Sequence, residues 1–209
     1  GWQAAEANCL ALCFTNTLPN MPPWGGRDKR VGNNPLVIAV PRKGGHIVLD
    51  MAMSMFSYGK LDTYRKDGKQ LPFPGGFDTK GNLSTDPEEI FRSDRLLPMG
   101  YWKGSGLAMM LDLLAAILSG GELTPRLDHN GDEFGVSQVF IAWSIESLHS
   151  ASFAESITAE IVGFLHSAEP AERNDGVYYP GERTLIMREE NLKNGIPVHK
   201  EVWESIKDM

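Results

Sequence analysis

Three stretches of this chain carry residues whose types and spacing could do chemistry. "LPMGYWKGSG" (97–106) combines Gly100, Gly104 and Gly106 with Lys103 and runs directly into the apolar "LAMMLDLLAAIL". Glycines let a backbone approach a ligand, free N–H groups at a helix start favour anions, and Lys103 adds a full positive charge, so the stretch could cradle a phosphate. Its spacing is neither G-x-G-x-x-G nor G-x-x-x-x-G-K-[ST], and neither pattern occurs elsewhere in the chain. On spacing alone it reads as a turn before a helix. Asp50 follows the apolar "IVL" and so brings a carboxylate to the end of a buried strand, where it either orients a ligand or caps a turn. "YPGERT" (179–184) sets Glu182 and Arg183 just ahead of a helical segment, as ligand charges or as a loop ion pair.

Other chemistries find less support. His46, His129, His149, His166 and His199 fall in no zinc-ligand spacing, and His166 is expected on the surface of a helix. Asp128, Asn130 and Asp132 have calcium-loop spacing, but Glu133 replaces the required glycine and Val139 the twelfth-position glutamate, so a solvated loop is expected. No metal site is expected. A G-x-S-x-G elbow is absent, which leaves serine-nucleophile hydrolysis without support. Cys9 and Cys13, four apart on one strand face, read as buried small hydrophobes.

These residues must be positioned by an ordinary globular chain: 209 residues, 42% hydrophobic and 22% charged. A formal net charge of −7 argues against nucleic-acid or anionic-membrane partners, so an anionic ligand must be met by local charge. The longest apolar run, 107–118, contains Asp112 and falls short of a bilayer span, and sparing cysteine use favours a cytoplasmic location.

Along the chain, "GWQAAEAN" has the composition of the last turns of a helix, and the N-terminus looks cut into. A strand is predicted at 9–15, followed by an irregular segment too rich in Pro, Gly and Asn for regular structure. "LVIAVP" (36–41) and "HIVLDMAMS" (46–54) form a hairpin across "RKGG"; "YRKDGKQL" holds a tight Asp-Gly turn. "STDPEEIFR" predicts a short capped helix. From Gly106, the set Leu107, Met110, Leu111, Leu114, Ile117 and Leu118 predicts a core helix closed by "SGG". A strand at 136–145 and three later helices complete the pattern, one of them marked by Phe153, Ile157, Ile161, Phe164 and Leu165. The fold class expected is α+β, without regular βαβ alternation.

Taken together, "TNT", "MPPWGG", "VGNNPLVIAVP", "DMAMSMFSYGK", "LPMGYWKGSGL" and "PGER" resemble the malate/L-lactate dehydrogenase family of NAD(P)-dependent oxidoreductases, in register from Gly1 to Met209. The resemblance implies a mainly antiparallel, non-Rossmann dinucleotide-binding sheet flanked by helices over residues 1–145, with a C-terminal helical region over 146–209. It implies NAD or NADP as cofactor, a homodimer, and a small-molecule substrate. The Met-rich segments point to a keto sugar acid; a malate- or lactate-type 2-hydroxy acid and a non-catalytic dinucleotide-binding module are the alternatives. Carried over by motif, the cofactor-binding residues are His46, Ile47, Val48, Leu49, Asp50, Met51 and Ala52, then Trp102 and Lys103, then Gly181, Glu182 and Arg183. "KGGH" (43–46) departs from the family's pattern. Asn16 and Thr17, at the end of the first strand, are expected to approach the substrate. The family's catalytic histidine lies in a Ser-His-Gly context, which does not occur in residues 1–209, so no catalytic residue is assigned here and that histidine is expected upstream.

Overall fold

A computed structural model describes residues 1–130, 134–172 and 174–209. Its centre is a four-stranded sheet built from β1 (Cys9–Thr15), β4 (Leu36–Val40), β5 (Ile47–Met51) and β8 (Gln138–Ser144), in the order β5-β4-β1-β8. Every pairing is antiparallel, and the β4–β5 hairpin sets Ala39 opposite Val48. The intervening segment, expected to be irregular, forms a small ladder between β2 (Pro19–Met21) and β3 (Val31–Gly32). A second small ladder joins β6 (Gly76–Phe77) to β7 (Leu83–Ser84).

Side-chain alternation gives the sheet two different faces. On one, the short helix α1 (Trp2–Glu6) lies close, because Ala5, Ala11 and Ala39 meet Val48 without bulk between them. The other face contributes Phe14 and Leu36 to the main core, with Met53, Leu61, Ile90 and Leu96. Cys9 and Cys13 are half-buried free thiols, more open than the sequence suggested.

α2 (Tyr58–Lys66) was not legible as a helix: it buries only Leu61, so apolar periodicity is missing, and Asp62 pairs with Arg65 and Lys66 on its polar side. The Asp67-Gly68 pair ends this helix, with Gly68 at φ +64°, and makes no hairpin. α3 (Pro87–Ser93) matches its sequence signals. Asp86 accepts from the Glu88 N–H at 2.9 Å, Pro87 takes the first turn, and Glu88 and Glu89 complement the helix dipole.

The long helix α4 (Trp102–Ser119) corrects the expected core face. It begins before Gly106 and buries its small residues, Gly104, Ser105, Ala108, Ala115 and Ala116, with Leu111. Met110, Leu114, Ile117 and Leu118 face solvent, Ile117 at 75% exposure. Small side chains on its inner side allow the helix axis to approach the sheet closely. α4 is the one helix among the described residues long and apolar enough to cross a membrane, yet its Asp112 is hydrogen-bonded into the protein. α5 (Thr124–Asn130) follows; the side chains of Asp128, Asn130 and Asp132, at calcium-like spacing, lie outside the described residues. After β8 come α6 (Ile145–Leu148), α7 (Ala151–His166), α8 (Glu182–Asn194) and α9 (Lys200–Lys207). In α7, Phe153, Ile157, Ile161 and Phe164 are exposed while Thr158 and Val162 are buried.

Candidate functional site

The segments 46–52, 102–103 and 181–183, distant in sequence, are linked through β5. As an edge strand, β5 has one side unpaired by the sheet. Near its start, the Val48 N–H donates to the Pro180 carbonyl at 2.8 Å, which docks the "PGER" segment on that open edge. Gly181 is required there: its φ is +92°, and a Cβ would lie 3.1 Å from both Val48 N and Val48 O. Strand alternation turns the backbone of Asp50 toward the same edge, two residues on. Its carboxylate is exposed and, among the described residues, has no hydrogen-bond or ion-pair partner.

Beyond β5 the chain continues toward α4. The Met55 N–H donates to Leu97 O and the Met99 N–H to Met53 O, each at 2.8 Å, so 53–55 runs beside 97–99 and sets the start of α4 near the end of the strand segment. This resolves the roles of the three glycines in "LPMGYWKGSG". Gly100 supplies a positive φ of 56°, and Gly104 allows close approach, since a Cβ there would lie 2.4 Å from Met99 O and 2.9 Å from Met53 O. A Cβ on Gly106 would meet nothing within 4 Å among the described residues. The entry is not an open nest of amides: Tyr101, Lys103 and Gly104 donate to the carbonyls of Pro98, Gly100 and Met99. What it offers a ligand is side chains. Trp102 is 66% exposed, and Lys103 is exposed without an anionic partner among the described residues. Tyr101, at φ 60° without glycine's freedom, is a strained backbone position adjoining both.

The remaining carried-over residues divide. Arg183 is exposed, its guanidinium 5.3 Å from the Tyr178 ring centroid. Glu182 is committed to the loop, accepting from Tyr179 N–H at 3.0 Å and lying 2.9 Å from His166 Nε2. His46 accepts the Arg42 N–H on Nδ1 at 3.2 Å, with the Trp2 ring beside it. Two residues that sequence reasoning missed knit this end together: Arg42 stacks over the Tyr179 ring at 5.4 Å. Only their place in the "PRKGGH" turn and before "PGER" could have flagged them.

Asn16 and Thr17 sit in different surroundings. Asn16 is fully buried; its Nδ2 donates to Asp112 Oδ1 (2.7 Å) and Glu122 O (2.6 Å), and its Oδ1 accepts from Ser137 N–H (2.8 Å). That is a clamp between β1, α4 and the start of β8. Thr17 is half-buried in an amide cluster: its hydroxyl lies 3.1 Å from Asn33 Oδ1, which also accepts from Asn20 Nδ2 at 2.8 Å. Asn20 Oδ1 is a buried oxygen without a partner among the described residues. Asn33 O accepts the Met53 N–H at 2.8 Å, so this cluster adjoins the end of the 46–52 segment. Among the described residues, no group of three His, Cys, Asp or Glu side chains could hold a metal ion.

Comparison with known proteins bears on this geometry. The malate/L-lactate dehydrogenase family model matches residues 1–207. A 2,3-diketo-L-gulonate reductase from Citrobacter koseri is 44% identical over 207 residues, which cover 99% of this chain and 62% of the relative. The chain thus spans about 62% of the length of the curated relatives it matches. Among solved structures, malate dehydrogenase from Pyrococcus horikoshii superposes with a TM-score of 0.85 at 27% identity, over 99% of this chain and 58% of that one. Delta1-piperideine-2-carboxylate reductase from Pseudomonas syringae gives 0.79 at 29% identity, over 99% and 61%.

Proposed function

Since this chain belongs to the malate/L-lactate dehydrogenase family, we propose that it forms the dinucleotide-binding and C-terminal portion of an enzyme that uses NADH or NADPH to reduce 2,3-diketo-L-gulonate to 3-dehydro-L-gulonate. The observation that carries the reading is that backbone hydrogen bonds tie the 181–183 segment to the open edge of β5 and the entry of α4 to the stretch just after it, with Trp102, Lys103 and Arg183 exposed and the two cations without an anionic partner among the described residues. These residues fit a dinucleotide. The Asp50 carboxylate and strand-edge groups suit ribose hydroxyls or a carboxamide, Trp102 offers an aromatic wall, and Lys103 and Arg183 meet phosphate charge in a chain of net charge −7. When bound, a reduced nicotinamide supplies the hydride for the keto carbon.

The diketo acid as substrate is supported by the 44% identical relative of that name. The proton for the developing alkoxide is assigned to a histidine outside residues 1–209, as the resemblance implies. A homodimer belongs to the same reading, supported by the exposed apolar side of α4, and so does a cytoplasmic location, supported by the sparing use of cysteine.

The test is NADH oxidation by the intact protein with 2,3-diketo-L-gulonate, oxaloacetate and pyruvate. The highest kcat/KM is expected for the diketo acid; preference for either of the others moves the assignment to a malate- or lactate-type enzyme. In the same protein, Lys103→Ala is expected to weaken NADH binding by about 1–3 kcal/mol, the range for a charge-assisted contact. Fluorescence titration giving equal affinities would remove Lys103 from the site.

A further inference from the structure

A second site stands away from β5. An open cleft of about 610 Å³ lies between the β2–β3 loop, the β6–β7 turn and the end of α3. Among the described residues, its lining carries five cations, Arg27, Lys29, Arg30, Arg92 and Arg95, against one carboxylate, Asp28. In a chain with seven more acids than bases this is a concentrated reversal of charge.

Most of that charge is uncompensated. The Arg27 guanidinium donates to Lys80 O at 3.3 Å, and Arg95 donates to Arg27 O at 3.2 Å and to Asp78 O. Bonds to carbonyl oxygens orient the guanidinium forks without cancelling their charge. The Asp78 carboxylate is turned to Asn82, accepting from its amide N–H at 2.8 Å and its side chain at 3.0 Å. Lys29 is neutralised by Asp94, which also accepts from the Tyr58 hydroxyl. Arg30 meets Asp28 at 3.5 Å with both side chains largely exposed, a weak pair in water. Among the described residues, the Arg92 guanidinium has neither hydrogen bond nor ion pair. Arg27, Arg92 and Arg95 therefore face one open, polar cleft without carboxylate partners among the described residues, and Thr79 and Ser93 line it beside them.

We propose that this cleft binds a small anion bearing two or more phosphoryl groups, at a site distinct from the dinucleotide site. Planar guanidinium forks match the paired oxygens of phosphate, and several forks in one cleft favour a multivalent anion over a single carboxylate. The lining shares no residue with 46–52, 102–103 or 181–183.

Isothermal titration of the intact protein with inorganic pyrophosphate at low ionic strength tests this. One pyrophosphate per chain is expected, with Kd raised about tenfold by Arg92→Ala and about a hundredfold by Arg30→Ala with Arg92→Ala, as loss of one and two charge-assisted contacts predicts. Melting temperatures of the unliganded variants should match the parent, because neither guanidinium holds a buried carboxylate. Saturating NADH should leave the pyrophosphate Kd unchanged. Absence of binding, an unaltered Kd in the double variant, or displacement by NADH would overturn the proposal; displacement would mean that the probe occupies the dinucleotide site, a result that leaves the reading of that site standing.

Discussion

Gly104→Ala is expected to destabilise the protein by about 2–4 kcal/mol, although alanine is the better helix former. The added Cβ would lie 2.4 Å from Met99 O, 2.8 Å from Met99 N and 2.9 Å from Met53 O. All three are backbone atoms, held by the bonds that join 97–99 to 53–55 and Gly104 N–H to Met99 O, so relief requires the start of α4 to move. Gly106→Ala, two residues along the same helix, should do the reverse: nothing lies within 4 Å, and the lost unfolded-state freedom stabilises by about 0.5–1 kcal/mol. Urea denaturation of both variants measures the difference. NADH titration adds a second readout, because displacing α4 also displaces Trp102 and Lys103, so only Gly104→Ala should lose affinity. Equal stability of the two variants would show that the helix entry is not fixed by close approach at Gly104.

This contrast marks how far the sequence could be read. The strands at 9–15 and 36–40, the hairpin to 47–51 and the α3 cap were legible because local signals and tertiary demands agree there. Helix α2 was hidden because a mostly solvated helix needs no apolar stripe, and its single buried residue, Leu61, leaves no period to detect. The orientation of α4 misled for the opposite reason. Its large residues suggested the core, but the packing partner is a sheet that small residues approach best, and which side of an all-round apolar helix is inward cannot be decided by hydrophobicity alone.

The candidate site shows the same division. Types such as Lys103, Trp102 and Arg183 could be picked out, since exposed cations and aromatics beside glycines are suggestive in themselves, and a family resemblance selected among them. Their assembly could not be picked out. It depends on the Val48 to Pro180 hydrogen bond and on the pairing of 53–55 with 97–99, contacts between segments up to 132 residues apart. The cleft cations were equally invisible as a group. Arg27, Lys29 and Arg30 stand in a loop, and Arg92 and Arg95 around a helix end, each unremarkable until the small ladders bring them to one rim.

Asn16→Ala is expected to cost about 2–4 kcal/mol, chiefly through unmet hydrogen bonds. The Ser137 N–H would lose its acceptor at a fully buried position, which leaves an amide neither paired nor hydrated. Asp112 would keep the Thr124 N–H and Glu122 O the Ser137 hydroxyl, so those partners are only partly orphaned. Asn16→Asp should be worse despite its matched shape, because it sets a second carboxylate where Nδ2 now lies 2.7 Å from Asp112 Oδ1. The order of urea midpoints, parent above Asn16→Ala above Asn16→Asp, reads this directly. Kinetics of the intact protein separate the clamp from the substrate role that the family resemblance implied. A clamp lowers the midpoint and leaves KM for the diketo acid near the parent value where Asn16→Ala is folded. A substrate ligand raises KM and leaves the midpoint in place, and that second outcome would return Asn16 to the substrate site beside Thr17.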